Sequence, residues 1–294
     1  MTMDDKTART VMPGQVRTRF APSPTGALHL GHAWSAILSH DFAVTHQGAF
    51  LLRIEDIDGT RSRPEHVGGI LDDLAWLELR YDGPVFQSER LASYAAALDR
   101  LKAMDLVYPC FCTRAEIAAS LSAPHGATAA YPGTCRRLTP AAARARMGEP
   151  HCWRLDMARA TALAGPLDWS DHGRRIAADP GPQGDVVLAR KDAPASYHLA
   201  VTLDDAAQGV TDIVRGIDLF DATHVHRLLQ ALLDLPTPRY HHHPLLTGPD
   251  GRRLAKRDGA PSLAAMRAAG QDGRALAEAL RRGELPAGLS PAKP

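Results

Sequence analysis

The chain runs to 294 residues, 45% of them apolar and 23% charged, with a formal net charge of +1. That length suits about two domains, or one large α/β domain carrying an insertion, and the apolar share excludes global disorder. A balance so near neutrality leaves any nucleic-acid partner to local basic patches, and no apolar stretch approaches the roughly 20 residues of a membrane span.

Met1 to Gln15 is polar and mixed in charge, with no apolar stretch of a secretory signal, so a cytoplasmic protein without membrane contact is expected. Val16 to Ala21 alternates apolar and polar residues and predicts a strand, and Pro22-Ser23-Pro24-Thr25-Gly26 predicts a turn. Leu28 to Thr45 predicts a helix with Leu30, Trp34, Ile37, Leu38 and Phe42 on one face. Phe50 to Ile54 reads as a buried strand, and Glu65 to Leu79 and Ser88 to Leu106 read as helices. Strand, helix, strand, helix implies βαβ units and a parallel sheet. From Pro109 to Pro182 the regularity fails, and this stretch reads as an insertion. Asp185 to Arg190 and Thr211 to Arg215 then read as strands, Asp221 to Leu235 as a helix, and Pro238 to Leu246 as extended. Gly248-Pro249-Asp250-Gly251 is a turn, and Gly270 and Gly273 divide the helical stretch Ser262 to Arg282. The Pro- and Gly-rich tail from Glu284 is expected to be disordered. Trp34, Trp76, Trp153 and Trp169 are assigned to packing.

The most specific signal is Arg19-Phe20-Ala21-Pro22-Ser23-Pro24-Thr25-Gly26 followed by His29-Leu30-Gly31-His32. A strand, a tight turn and the first turn of a helix create an anion site from backbone N–H groups. Two imidazoles at that spacing can both reach a phosphate, and Gly31 lets an adenine ring approach the backbone. With this segment the chain resembles the class I aminoacyl-tRNA synthetases of the glutamyl branch, whose HIGH signature His29-Leu30-Gly31-His32 matches. Their second signature, KMSKS, matches Arg253-Leu254-Ala255-Lys256-Arg257, although Arg253 stands for the first lysine and Ala255 for the serine.

The resemblance implies ATP, with Mg²⁺, as the activating substrate, held by His29, Gly31, His32 and Lys256, and His29, His32 and Lys256 as catalytic residues. It also implies an L-glutamate pocket from Arg19, Phe20, Ala21, Pro22 and Ser23, with Glu55 receiving the α-ammonium. Tyr197 and Arg215 match the pocket's other side, where Arg215 is the expected partner of the side-chain carboxylate. Arg19, Glu55 and Arg215 all fall at predicted strand ends, where open α/β sheets bind ligands. His241-His242-His243 invites a metal reading, but alternation along a strand sends His242 to the face opposite its neighbours, and a strand with satisfied side chains is the better account.

Cys110-x-Cys112 and Cys135, three of four cysteines, lie in the irregular insert and suggest a structural zinc. The residues themselves nominate His125, His151 or Cys152 as fourth ligand, whereas resemblance to the glutamyl-Q tRNA(Asp) synthetases points to Tyr131 in Tyr131-x-x-x-Cys135. That resemblance implies one Zn²⁺ per chain and a fold of α/β class: a Rossmann-type parallel sheet with a zinc-containing inserted subdomain and a short C-terminal helical segment. The expected division is 15–108 and 184–245 for the two halves of the catalytic domain, 109–183 for the insert, 246–283 for the Lys256 loop and short helices, and 284–294 for the tail.

The chain is short for a glutamyl-tRNA synthetase, and the resemblance implies transfer of glutamate to queuosine in the anticodon loop of tRNA(Asp). Arg136, Arg137, Arg252, Arg253 and Arg257 are candidates to line the RNA approach, and a monomer is expected. The alternatives are a short synthetase charging a tRNA 3′ end and a non-catalytic tRNA-binding paralogue.

Overall fold

In the computed structural model, which describes residues 14–113, 115–117, 131–190, 193–248, 261–285 and 289–291, strand β1 (Arg17–Phe20) pairs parallel with β2 (Ala49–Ile54). Strand β2 in turn pairs parallel with β3 (Asp82–Phe86). Helices α1 (Leu30–Thr45) and α2 (Pro64–Trp76) make the crossovers that parallel pairing requires. Every residue of β2 is buried, as expected of a strand covered on both faces. A 3₁₀ turn at Gln87–Arg90 precedes α3 (Leu91–Ala103), so the helix expected from Ser88 begins three residues later.

Among its described residues, the stretch expected to be irregular holds four strands and the helices Pro140–Ala145 and Met157–Ala164. Strands β4 (Val107–Cys110) and β5 (Cys152–Leu155) pair antiparallel. Beyond the helix Met157–Ala164, β6 (Asp168–Asp171) and β7 (Arg174–Ala177) form a hairpin. These strands are four residues long and carry polar residues, too short for the alternation that sequence reading relies on. Strand β8 (Val187–Ala189), expected to resume the parallel sheet, pairs antiparallel with β5 instead.

Strand β9 (Asp212–Gly216) is parallel to β10 (Arg239–His243), and the helix Phe220–Leu232 joins them. Strand β6 lies parallel to β10 on its other side. The two parallel sheets adjoin where Thr211 N donates to Arg17 O at 3.0 Å, just before β9. From β1 the chain therefore builds outward through β2 and β3 on one side and returns through β9 and β10 on the other. The gap between β1 and β9 is a point of reversed strand order, the customary ligand crevice of an open α/β sheet.

One apolar core joins α1, β1, β2 and α2 to the C-terminal helices Leu263–Ala268 and Gly273–Arg281, and a second lies around α3 and the helices Tyr197–Ala207 and Phe220–Leu232. Gly270, with φ of +78°, follows the first C-terminal helix, as expected. Gly273 instead starts the next helix, where Asp272 accepts from Arg274 N and Ala275 N. A Cβ at Gly273 would lie 2.2 Å from Trp76 O, so only glycine allows this approach. Within the expected disordered tail, β12 (Ser290–Pro291) pairs antiparallel with β11 (Leu246–Thr247). Trp169 is buried, and Trp34, Trp76 and Trp153 pack against the cores. Among the described residues no helix is long and apolar enough to cross a membrane.

Candidate active site

The turn after β1 delivers the chain to α1, whose N-cap is His29. Gly31 N donates to His29 Nδ1 and His29 N donates to His32 Nδ1, each at 3.1 Å. Both Nδ1 atoms therefore accept, and each neutral ring carries its proton on Nε2. The rings lie 3.8 Å apart, and a Cβ on Gly31 would meet His29 Cε1 at 3.0 Å. The anion site expected from bare backbone N–H groups is thus modified. His29 N and Gly31 N are occupied by the imidazoles, and the imidazole Nε2 protons become the donors at this helix start.

Across the ends of β1 and β2 lies a buried charge network. Arg53, fully buried in β2, donates to Asp205 Oδ1 at 2.8 Å and reaches Glu55 Oε1 at 3.4 Å. Arg19 Nε reaches the same Asp205 oxygen at 3.1 Å. Burial pushes Asp205 up, but Arg19 and Arg53 outweigh it and hold the carboxyl below its ordinary value. Glu55 goes the other way: burial raises it above the usual range against the pull of Arg53 and Arg19. An added cation beside Glu55 would favour its ionised form.

Arg215, at the end of β9, is 4% exposed. Its NH2 donates to Thr223 Oγ1 at 2.6 Å and Leu219 O at 3.1 Å, and NH1 lies 3.4 Å from the Tyr197 hydroxyl. Tyr197 starts the helix that also carries Asp205, so one helix serves Arg19, Arg53 and Arg215.

These groups meet in one cavity of about 1120 Å³. It is lined by Arg19 to Ser23, by His29, Gly31 and His32, and by Glu55, Tyr197 and Arg215. Trp34, Ser35, Asp218 and His243 also line it, although Trp34 was expected only to pack and His243 only to sit in a strand, and neither Ser35 nor Asp218 was a candidate. Lys256, with Arg252, Arg253, Ala255 and Arg257, lies outside the described residues, as does the turn from Pro249. On one flank of that stretch Leu246 lines the cavity, and on the other Ser262 bridges to His29.

The cysteine cluster stands apart from the cavity. The sulfurs of Cys110, Cys112 and Cys135 all lie within 4.8 Å of one another. The Tyr131 hydroxyl is 3.4 Å from Cys112 Sγ and accepts from Cys135 N at 2.8 Å. That bond uses one lone pair of the phenolic oxygen, which has a second to offer a metal. Three soft thiols and one phenolic oxygen around a small space suit a four-coordinate zinc. Of the rival ligands, His151 Nδ1 pairs with Glu149 O at 2.9 Å, Cys152 faces Cys110 across β4 and β5, and His125 lies outside the described residues. Arg136 is engaged with Asp185 at 3.1 Å, and Arg137 reaches Pro132 O at 3.3 Å.

The family described as tRNA synthetases class I (E and Q), catalytic domain, matches residues 15–292. A glutamyl-Q tRNA(Asp) synthetase of Rhodobacter capsulatus is 50% identical over 264 residues, 86% of this chain and 95% of that protein. One from Symbiobacterium thermophilum is 47% identical over 86% of this chain and 81% of its own length. Among solved structures, a glutamate tRNA ligase from Elizabethkingia meningosepticum, in complex with its amino acid, superposes with a TM-score of 0.76 at 27% identity. That superposition covers 90% of this chain but 60% of the ligase, so the chain spans less than two thirds of the solved enzyme's length.

Proposed function

The chain belongs to the class I tRNA synthetases for glutamate and glutamine, and we propose that it activates L-glutamate with ATP and transfers it to queuosine in tRNA(Asp). The observation that carries the reading is the meeting of Arg215, Glu55 and the His29–His32 pair in one cavity at the strand-order reversal. Cationic Arg215 matches the side-chain carboxylate, and Glu55, raised by burial, matches the α-ammonium.

In the first step an oxygen of the glutamate α-carboxylate attacks the α-phosphorus of ATP. The bond to the bridging oxygen breaks, giving glutamyl-adenylate and pyrophosphate. In the second step a hydroxyl of the acceptor attacks the acyl carbon, its proton is lost, and AMP leaves. No protein nucleophile is needed, so the residues act by positioning and charge stabilisation. His29 and His32 donate from Nε2 toward the phosphates, and Lys256 adds a positive charge. Mg²⁺, bound with ATP, neutralises phosphate charge.

Two further assignments complete the reading. Cys110, Cys112, Cys135 and Tyr131 hold one structural zinc that orders the insert. The acceptor is assigned to queuosine because relatives at 41–50% identity carry that substrate in their name and are matched over most of their length. A tRNA acceptor sets the reaction in the cytoplasm, with the protein acting as a monomer.

The test has two arms. Glutamate-dependent ATP–pyrophosphate exchange reports activation. Labelled glutamate is then offered to tRNA(Asp) carrying queuosine, to the same tRNA carrying guanosine, and to tRNA(Glu). Label on the queuosine form alone is the expected result. Label at the 3′ end of tRNA(Glu) would overturn the acceptor assignment, and absence of exchange would overturn activation.

A further inference from the structure

We propose that His242 is a positioning residue for Arg215, its ring fixed by Asp171 so that the guanidinium stands ready for the substrate's side-chain carboxylate. The proposal rests on the reading of the cavity as a glutamate site.

The starting point is a contrast between buried arginines. Arg19 and Arg53 each contact a carboxylate. Among the described residues no carboxylate contacts Arg215. Its partners are the Tyr197 and Thr223 hydroxyls, Leu219 O and two imidazoles. A guanidinium buried among neutral acceptors is costly to hold and strongly attracts an incoming carboxylate. It must therefore be oriented without a competing anion in its fork.

The hydrogen bonds show how this is done. Arginine can only donate. His242 Nε2, 3.2 Å from Arg215 Nε, must therefore accept. The ring proton is then on Nδ1, which faces Asp171 Oδ1 at 2.9 Å. The same Asp171 oxygen takes the backbone N–H of His242 at 3.1 Å, so one carboxylate grips both ring and strand. Its placement follows from sheet register, because Asp171 on β6 stands opposite Tyr240 on β10. The negative charge is thus one imidazole away from the guanidinium, near enough to stabilise it and too far to occupy it.

The other side repeats the device. His226 Nδ1 lies 3.4 Å from Arg215 NH1 and must accept, so its Nε2 proton points to His198 Nδ1 at 3.2 Å. His242 has the larger influence, because it bonds the Nε atom and so sets the direction of the guanidinium plane. The assignment also explains His242 itself. Its neighbours His241 and His243 turn to Asp212 and Ser35, and only His242 faces Arg215.

The experiment compares His242→Leu, which removes the acceptor, with His242→Gln, whose side-chain oxygen can replace Nε2. In ATP–pyrophosphate exchange, His242→Leu should raise the KM for glutamate about tenfold or more and leave the KM for ATP within about twofold. His242→Gln should recover the glutamate KM to within about threefold of the parent. If His242→Leu is insoluble, Asp171→Ser serves, and should raise the glutamate KM several-fold with ATP unaffected. A glutamate KM unchanged in the tested variant overturns the proposal, as does a parallel rise for ATP. Failure of the parent to exchange with glutamate would instead overturn the activation reading and this inference with it.

Discussion

Asp205 and Arg53 are joined at 2.8 Å behind the cavity, across 152 residues of sequence, with neither side chain more than 5% exposed. Asp205 also holds Arg19, and Arg53 also reaches Glu55. One helix carboxylate therefore ties together the ends of β1 and β2, the two strands that deliver cavity residues from the first half of the sheet.

Removing that carboxylate leaves two guanidinium groups buried with their main counter-charge gone. Asp205→Asn is expected to lower the free energy of unfolding by roughly 3 to 5 kcal/mol, the usual cost of breaking a buried pair. Urea unfolding at pH 7 measures it. A loss below about 1 kcal/mol would mean that Asp204 and Glu55 suffice to compensate both arginines.

Lys256 is expected to act on ATP alone. Lys256→Ala should slow pyrophosphate exchange about a hundredfold, the typical effect of deleting one transition-state contact, with little change in glutamate affinity. Exchange within about threefold of the parent would remove Lys256 from the phosphate site.

Much of the site was legible because its signals are local. The Pro22-Ser23-Pro24-Thr25-Gly26 breaker fixes the turn, and the periodic apolar face of α1 fixes the helix that carries His29 and His32. Alternation along β10 was also readable and separates His242 from its neighbours. What stayed hidden is non-local. No pattern within Phe50 to Ile54 announces that Arg53 meets Asp205, and nothing in Asp168–Asp171 announces a strand beside β10. Strands β4 and β5 pair at long range and are stabilised by register, so their four residues carry too little periodicity to be seen.

The cysteine cluster should retain metal through purification without added zinc. Elemental analysis is expected to find one zinc per chain, and Cys112→Ser should lose it. Tyr131→Phe separates the ligands: reduced occupancy supports the phenolic oxygen, and full occupancy would transfer the fourth place to another donor. A zinc content near zero with all three thiols freely reactive would remove the metal from the insert.

Acid should destabilise the protein through the histidines around Arg215. Burial, with Arg215 adding to it, lowers His198 and His242 to about 4 and His226 well below its ordinary value. In the unfolded chain the same rings titrate near 6.5. Between those values the unfolded state binds more protons, so their contribution is fully present above pH 6.5 and is lost as pH falls toward 4. His198 and His242 each cost roughly 1 kcal/mol by pH 5.5, and His226 adds a loss of the same sign. Asp73 opposes this: burial, working against Arg267, raises it to about 6, so it takes up its proton more readily in the folded state. That gain is roughly 1 kcal/mol at pH 5.5, smaller than the loss from the rings, and leaves a net loss of at least about 1 kcal/mol relative to pH 7. Urea unfolding at the two pH values measures the difference. Arg215→Met, which removes the cation shared by the three rings, should flatten the dependence. Equal stability at pH 7 and pH 5.5 would show that these histidines titrate alike in the folded and unfolded chain.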